Sequence, residues 1–227
     1  MRTSLTRRLL GGVLVVRRLR CGPVGSGGTH MMRRLGTTVA LVVTLMGAAW
    51  AQTTPSTSEI GTIRARALAG DAAYQVALGR MYMDGRGVPL DVSQGVMWLG
   101  KAADQGHPYA QYILGVLYSN GSIVPKDERK ALSWFSKAAT QGNVSAQVLL
   151  GGIYASGGLG VTKSAITAYI WWSAAAVGAN ASKDAELAAL VTKQRDTLAT
   201  TMSAAQITEA NKLAKQYQVL FDSQKQK

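Results

Sequence analysis

Three twelve-residue stretches of this chain are versions of one another: VMWLGKAADQGH at 96–107, LSWFSKAATQGN at 132–143 and YIWWSAAAVGAN at 169–180. The recurrence extends beyond them. Gly79, Gly115 and Gly151 lie 36 residues apart, as do Tyr82, Tyr118 and Tyr154, while Trp98, Trp134 and Trp171 are separated by 36 and 37. The extra residue falls in the third loop, GGLGV. A fixed period of this size with helical spacing inside each unit predicts a solenoid of stacked helix pairs, because one pair cannot bury its apolar face without neighbours.

Within each unit a first helix reads YQVALGRMY, AQYILGVLY or AQVLLGGIY. A glycine-containing loop follows, then a second helix rich in small residues. Asp91, Asp127 and Ser164 stand at the start of the second helix, where a short oxygen-bearing side chain caps orphan amides. Asp71, His107, Asn143 and Asn180 occupy the turn before each first helix. At 100° per residue, Tyr74, Gln75, Leu78, Met81 and Tyr82 share one face, which is the packed one. Gly79 and the pairs Ala102-Ala103, Ala138-Ala139 and Ala175-Ala176 let backbones approach, and the tryptophans fill the space between units.

The segments ALGRMYMDGRGVPLD…MWLGKAADQG, LGVLYSNGSIVPKDERKALSWFSKAATQGN and LGGIYASGGLGVTKS…AYIWWSAAAVGAN resemble the Sel-one-like repeat family, relatives of the tetratricopeptide repeats with longer units. The resemblance covers about half the chain. It implies an all-α fold, a right-handed α-solenoid of stacked antiparallel helix pairs, and an adaptor role in protein–protein interaction. Gly95 stands where alanine is usual and Ala179 where the terminal glycine belongs. Some secreted members staple each repeat with paired cysteines; this chain lacks them, so the activity of that branch is not carried over. The repeats are expected at about 71–106, 107–142 and 143–179, behind a leading half-unit at 60–69. Closing helices at 182–199 and 203–217 complete the solenoid, the last opened by a Ser203–Gln206 capping box, and 218–227 is expected as a disordered tail.

The formal net charge of +13 suggests nucleic acid until its location is considered. Residues 1–51 hold eight arginines and no acid, and the remaining 17 basic and 12 acidic residues leave only +5. The arginines belong to a leader. From Met31 or Met32, MMRRLGTT is a positive n-region, VALVVTLMGAAW an apolar core and Ala49-Trp50-Ala51 a cleavage site, which predicts a signal peptide at 31–51 cut between Ala51 and Gln52. The apolar run is short of the roughly 20 residues that span a bilayer, so membrane contact is expected only before cleavage. Residues 1–30 read as a non-native extension from a start placed too far upstream, and the Ser/Thr-rich 52–59 as a flexible linker. Cys21 goes with the leader, leaving a periplasmic or secreted chain that packs without disulfides.

Chemistry finds few footholds. The chain after the leader has one histidine, His107, and no cysteine, which leaves most zinc sites, Cys-His pairs and hydrolase triads without their parts. GGLGVTKS at 157–164 misses a phosphate loop, with Thr162 in place of the required glycine and a helix rather than a strand before it. Asp127-Glu128 and Asp184-Glu186 fall in first helical turns, where acids suit the helix dipole. Basic residues are scattered rather than striped, which disfavours nucleic acid. Neither a catalytic residue, a cofactor nor a metal is assigned. The alternatives to an exported scaffold in the bacterial envelope are a hydrolase or binding protein for an envelope polymer such as peptidoglycan, and a purely structural component.

In helix-pair solenoids the first helices line the concave surface. Opposite the constant face they carry Val76, Arg80 and Met83, then Tyr112, Val116 and Ser119, then Val148, Gly152 and Ala155, positions that do not repeat in character. An exposed apolar stripe marks an interaction site. The expected occupant is an apolar peptide or helix of a protein partner, with Tyr112 as anchor.

Overall fold

A computed structural model describes residues 55–225 of the chain. The expected extension at 1–30, the expected signal peptide at 31–51 with its cleavage point, and the start of the expected linker lie outside the described residues. All regular structure among the described residues is helical. The elements are α1 (Thr57–Leu68), α2 (Ala72–Asp84), α3 (Val92–Asp104), α4 (Pro108–Asn120), α5 (Glu128–Thr140), α6 (Val144–Ser156), α7 (Ala165–Ala181), α8 (Ala185–Ala199) and α9 (Ala204–Lys225). No helix among the described residues is long and apolar enough to cross a membrane.

Helices α2 and α3, α4 and α5, and α6 and α7 pair most extensively, and each second helix then packs on the next first helix. Local chemistry sets the boundaries. The second helices are capped by Asp91 on Gln94 N at 3.0 Å, Asp127 on Lys130 N at 2.9 Å and Ser164 on Thr167 N at 3.2 Å. The first helices all stop at a left-handed glycine, Gly85, Gly121 or Gly157, a conformation glycine adopts without a Cβ penalty. The half-unit arrives earlier than the 60–69 read from sequence. Ser56 and Glu59 form a reciprocal capping box, so α1 starts at Thr57 and takes the end of the expected 52–59 linker into the fold.

Glycines set the distance within each pair. A Cβ on Gly79 would sit 3.0 Å from Leu99 Cγ, and one on Gly115 only 2.6 Å from the Phe135 ring; on Gly151 it would overlap the Trp172 indole. The side chain seated on the glycine is therefore the one after each repeated tryptophan. It grows from leucine to phenylalanine to tryptophan along the solenoid. The repeated tryptophans point the other way: Trp98 packs with Ala67 and Leu78, Trp134 against the group of Leu99, Ala102 and Ala103, and Trp171 against that of Ala138 and Ala139. They fill the space between units, as expected, but a different residue fills the space within each unit.

A glutamine ladder runs alongside. Gln75, Gln111 and Gln147 are buried and donate Nε2 to the carbonyls of Ala67, Ala103 and Ala139 at 3.2, 3.1 and 3.0 Å. The Oε1 atoms of Gln75 and Gln111 each accept from a glutamine at the end of the second helix, Gln105 or Gln141, at 2.7 Å. Each unit is thus bonded to the preceding helix through a buried glutamine, fully satisfied at Gln75 and Gln111, which is the form in which polar groups are tolerated in a core, and without a donor at Gln147 Oε1.

The third unit ends differently from the sequence reading. Its expected terminal position is Ala179 rather than glycine, and α7 runs on to Ala181. The left-handed residue comes one helical turn late, at Lys183 with φ +60°. Asn180, expected as the next cap, lies inside α7; Asp184 caps α8 instead, accepting from Leu187 N at 3.0 Å. The expected disordered tail at 218–227 is also corrected over 218–225, since α9 continues to Lys225. It continues because Tyr217 and Phe221 have seats on the repeats: the Tyr217 ring stands edge-on to Trp171 at 5.0 Å, and Phe221 lies over Gly142.

Candidate partner-binding surface

The stripe of Val76, Arg80, Met83, Tyr112, Val116, Ser119, Val148 and Ala155 does not form one open face. Val76 and Tyr112 are core residues, 8% and 6% exposed. Val76 packs with Leu99, Ala102 and Leu114, while the Tyr112 ring lies 6.3 Å from both Tyr109 and Phe135. Burial raises the Tyr112 hydroxyl pKa, with a smaller contribution from Tyr109. Tyr112 is therefore corrected from partner anchor to packing residue. Val148 and Ala155 are half-buried against the group of Trp172, Ala175 and Val191, and the Val148 carbonyl accepts the Trp172 indole N–H at 3.2 Å. Met83 packs on the Leu99 group, and Ser119 donates its hydroxyl to Val116 O at 2.8 Å.

The displacement has a simple cause. A first helix in a solenoid touches its own second helix and also both neighbouring units, so the side opposite the pair contact is partly seam. The open side is rotated from the expected stripe by roughly 60°, counted at 3.6 residues per turn. It carries Ala77 and Arg80 in the first unit, Tyr109, Ile113 and Val116 in the second, and Leu149 and Gly152 in the third, all partly exposed, with Tyr109, Ile113, Val116 and Leu149 also packed in part on the core groups of Leu114 and Phe135. Arg80 and Val116 from the expected set remain on it. The Arg80 guanidinium lies over the Tyr109 ring at 5.7 Å from its centroid, joining the first two units across this side.

Two further features were not read from the sequence. The cap position of α4 is His107, as expected of a turn residue, yet its side chain makes no capping bond and its buried Nδ1 has no partner. Burial lowers the His107 pKa, against a smaller opposing hydrogen-bond effect from its own backbone. On the second-helix layer, Lys101 and Lys137 stack on Trp98 and Trp134 at 4.3 and 4.2 Å, spaced one unit apart. A pattern of Trp followed three residues later by Lys carries that signal in the sequence. Asp127, Glu128, Asp184 and Glu186 are caps and first-turn acids, as read. Among the described residues no group of three or more His, Cys, Asp or Glu side chains could hold a metal.

Known proteins place this architecture. The Sel1 repeat family model matches residues 70–107, 108–143 and 144–176, one match for each helix pair. The crystal structure of a Sel1 repeat protein from Oxalobacter formigenes is 32% identical, with a TM-score of 0.54, over 61% of this chain and 98% of that one. The chain belongs to the Sel1 repeat family. A protective antigen from uropathogenic Escherichia coli strains, described as displaying an SLR fold, is 24% identical over 79% of this chain and 45% of that one, with a TM-score of 0.47. A search of curated proteins found no match. Sel1 repeat proteins generally mediate protein–protein interaction, and the scaffold is generally non-catalytic. In this Sel1 repeat chain the three matched units contribute the half-exposed residues of the first helices, which differ from unit to unit while the seams between units keep one pattern.

Proposed function

We propose that this Sel1 repeat protein is an exported, non-catalytic scaffold of the bacterial envelope that binds a protein partner on the first-helix side of its three units. The observation that carries the reading is the contrast at one register position. Arg80, Val116 and Gly152 are equivalent in the repeat and half-exposed, yet share no chemistry, whereas the neighbouring packed positions Gln75, Gln111 and Gln147 are identical. The fold dictates the second set and leaves the first to recognition. The apolar character of Ile113, Val116 and Leu149 suits an apolar peptide or helix, because such patches on a repeat surface mark interaction sites. Export is supported by the order of n-region, apolar core and A-x-A sequence in residues 31–51.

Val116→Asp tests the site. Capture of partners from envelope extract should be lost while the variant, altered at a partly buried side chain, still unfolds in one cooperative thermal transition. A folded variant that still captures every partner would remove this side from consideration, and a variant that unfolds would make Val116 a core residue.

A further inference from the structure

Helix α9 does not complete a fourth unit. In the three matched units the second helix pairs with the first helix just before it, but α9 lies along α7 and turns away from α8. It is held by a set of contacts on the outer, second-helix layer. Tyr169 donates its hydroxyl to Asn211 Oδ1 at 3.0 Å, Ala210 is buried beside Tyr169 and Met202, and Tyr217 reaches Trp171 and donates to Ala139 O at 2.9 Å.

The surface beneath α9 is altered at the positions that would obstruct it. The lysines that stack on Trp98 and Trp134, Lys101 and Lys137, are matched in the third unit by Ala174. The ladder glutamines Gln105 and Gln141 are matched by Gly178. With both side chains absent, Trp171 is open to an aromatic ring and the end of the ladder is unfilled. Tyr217 occupies the first place and brings its hydroxyl to the Gln147 amide at the second, but leaves the amide oxygen without a donor. Gln147, 2% exposed, is left with an Oε1 that accepts no hydrogen bond, where its two counterparts each have a donor at 2.7 Å. A buried acceptor without a donor is unfavourable, so α9 fits this seat incompletely. Its outer side meanwhile exposes Val219 and Leu220, at 68% and 63%.

We propose that the seat over α7 is a docking site for an amphipathic helix, occupied in cis by α9 and yielded to a partner helix that sets an aromatic ring on Trp171 and an amide N–H donor on Gln147 Oε1. This site lies on the layer opposite the first-helix surface and does not depend on partner binding there. The repeat itself supplies the chemistry of recognition, since Gln105 and Gln141 already show which group satisfies that acceptor.

The probe is a fluorophore-labelled synthetic peptide of residues 204–225, titrated against the full chain and against Tyr217→Ala/Phe221→Ala, which loosens α9 and leaves the seat intact. The loosened chain should bind the peptide at least tenfold more tightly than the parent, and adding Ala174→Lys should abolish the gain. Among peptides with a single glutamine at Leu213, Ala214 or Phe221, positions one helical turn from the Tyr217 that reaches Gln147, at least one should bind fivefold more tightly still, and lose that advantage on a chain carrying Gln147→Met. Equal binding by parent and loosened chains, or a gain that survives Ala174→Lys, overturns the seat. Three glutamine peptides without advantage overturn the donor requirement. Loss of cooperative unfolding in the loosened chain would make α9 an integral closing helix and overturn the proposal outright.

Discussion

At Gly115 and Gly152 the same residue type does opposite work on equivalent first helices. A methyl group on Gly115 would press into the Phe135 ring at 2.6 Å, whereas one on Gly152 meets nothing within 4 Å. Gly115→Ala should therefore lose stability, because overpacking at about 1–3 kcal/mol exceeds the roughly 1 kcal/mol of helix propensity gained. Gly152→Ala should gain about 0.5–1 kcal/mol from propensity alone. Urea unfolding of both variants checks the pair, and shifts of the same sign would break the link between these glycines and the side chains seated on them. Gln141→Ala would strip Gln111 Oε1 of its donor and should cost about 1–3 kcal/mol, although Gln141 itself is exposed. A cost near zero would mean the ladder contributes nothing to the stacking.

Among the elements, α4 is the first helix with the weakest start. Asp71 and Asn143 cap its neighbours through Oδ1, while His107 places a buried, unpartnered Nδ1 at the same position. Because burial lowers the His107 pKa, the unfolded chain binds that proton more readily in the window between the lowered value and the ordinary histidine value. Stability should therefore rise with pH across that window and fall as the histidine is forced to protonate. His107→Asn should add about 1 kcal/mol at neutral pH by supplying the cap, and should flatten that step in a pH series of thermal melts. A step that persists in the variant would assign it to another group. On the second helices, Asp91→Ala should cost about 1 kcal/mol by removing the bond to Gln94 N, read as a drop in denaturation midpoint. At Asp127 the hydrogen bond from the Lys130 amide is the largest of several effects that hold the carboxyl below its ordinary pKa. Its stabilisation is present above the ordinary value and fades as pH falls through the lowered one, so Asp127→Asn should lessen the acid sensitivity of the melt.

For the whole molecule, stability comes from seams between units rather than from one central core: Val76, Leu99 and Leu114 share a group that spans the first two units, and Tyr112, Phe135 and Leu150 share one that spans the second and third. Such stacking leaves the outward register positions unconstrained, which is how a repetitive frame acquires particular partners. The signal peptide proposed at 31–51 is tested at this scale. Intact-mass measurement of the exported protein should give a chain that begins at Gln52, as the A-x-A sequence at 49–51 requires. Recovery of an exported, soluble form that retains residues 31–51 would withdraw the signal-peptide assignment.

The period of 36 residues, the glycine spacing and the cap residues were sufficient to specify an all-helical stack of pairs, because each acts over a few residues or repeats in register. Tertiary structure alone decided which half-polar face stayed open. Helical periodicity locates Tyr74, Gln75 and Leu78 on a packed side, but it does not state how many neighbours a helix has, and the seams took Val76 and Tyr112 from the expected stripe. It also decided the end of the solenoid. Nothing local in AKQYQVLF distinguishes a tail from a helix; Tyr217 and Phe221 are ordered by Trp171, Ala139 and Gly142, residues 46 to 79 positions earlier that only the folded stack brings within reach.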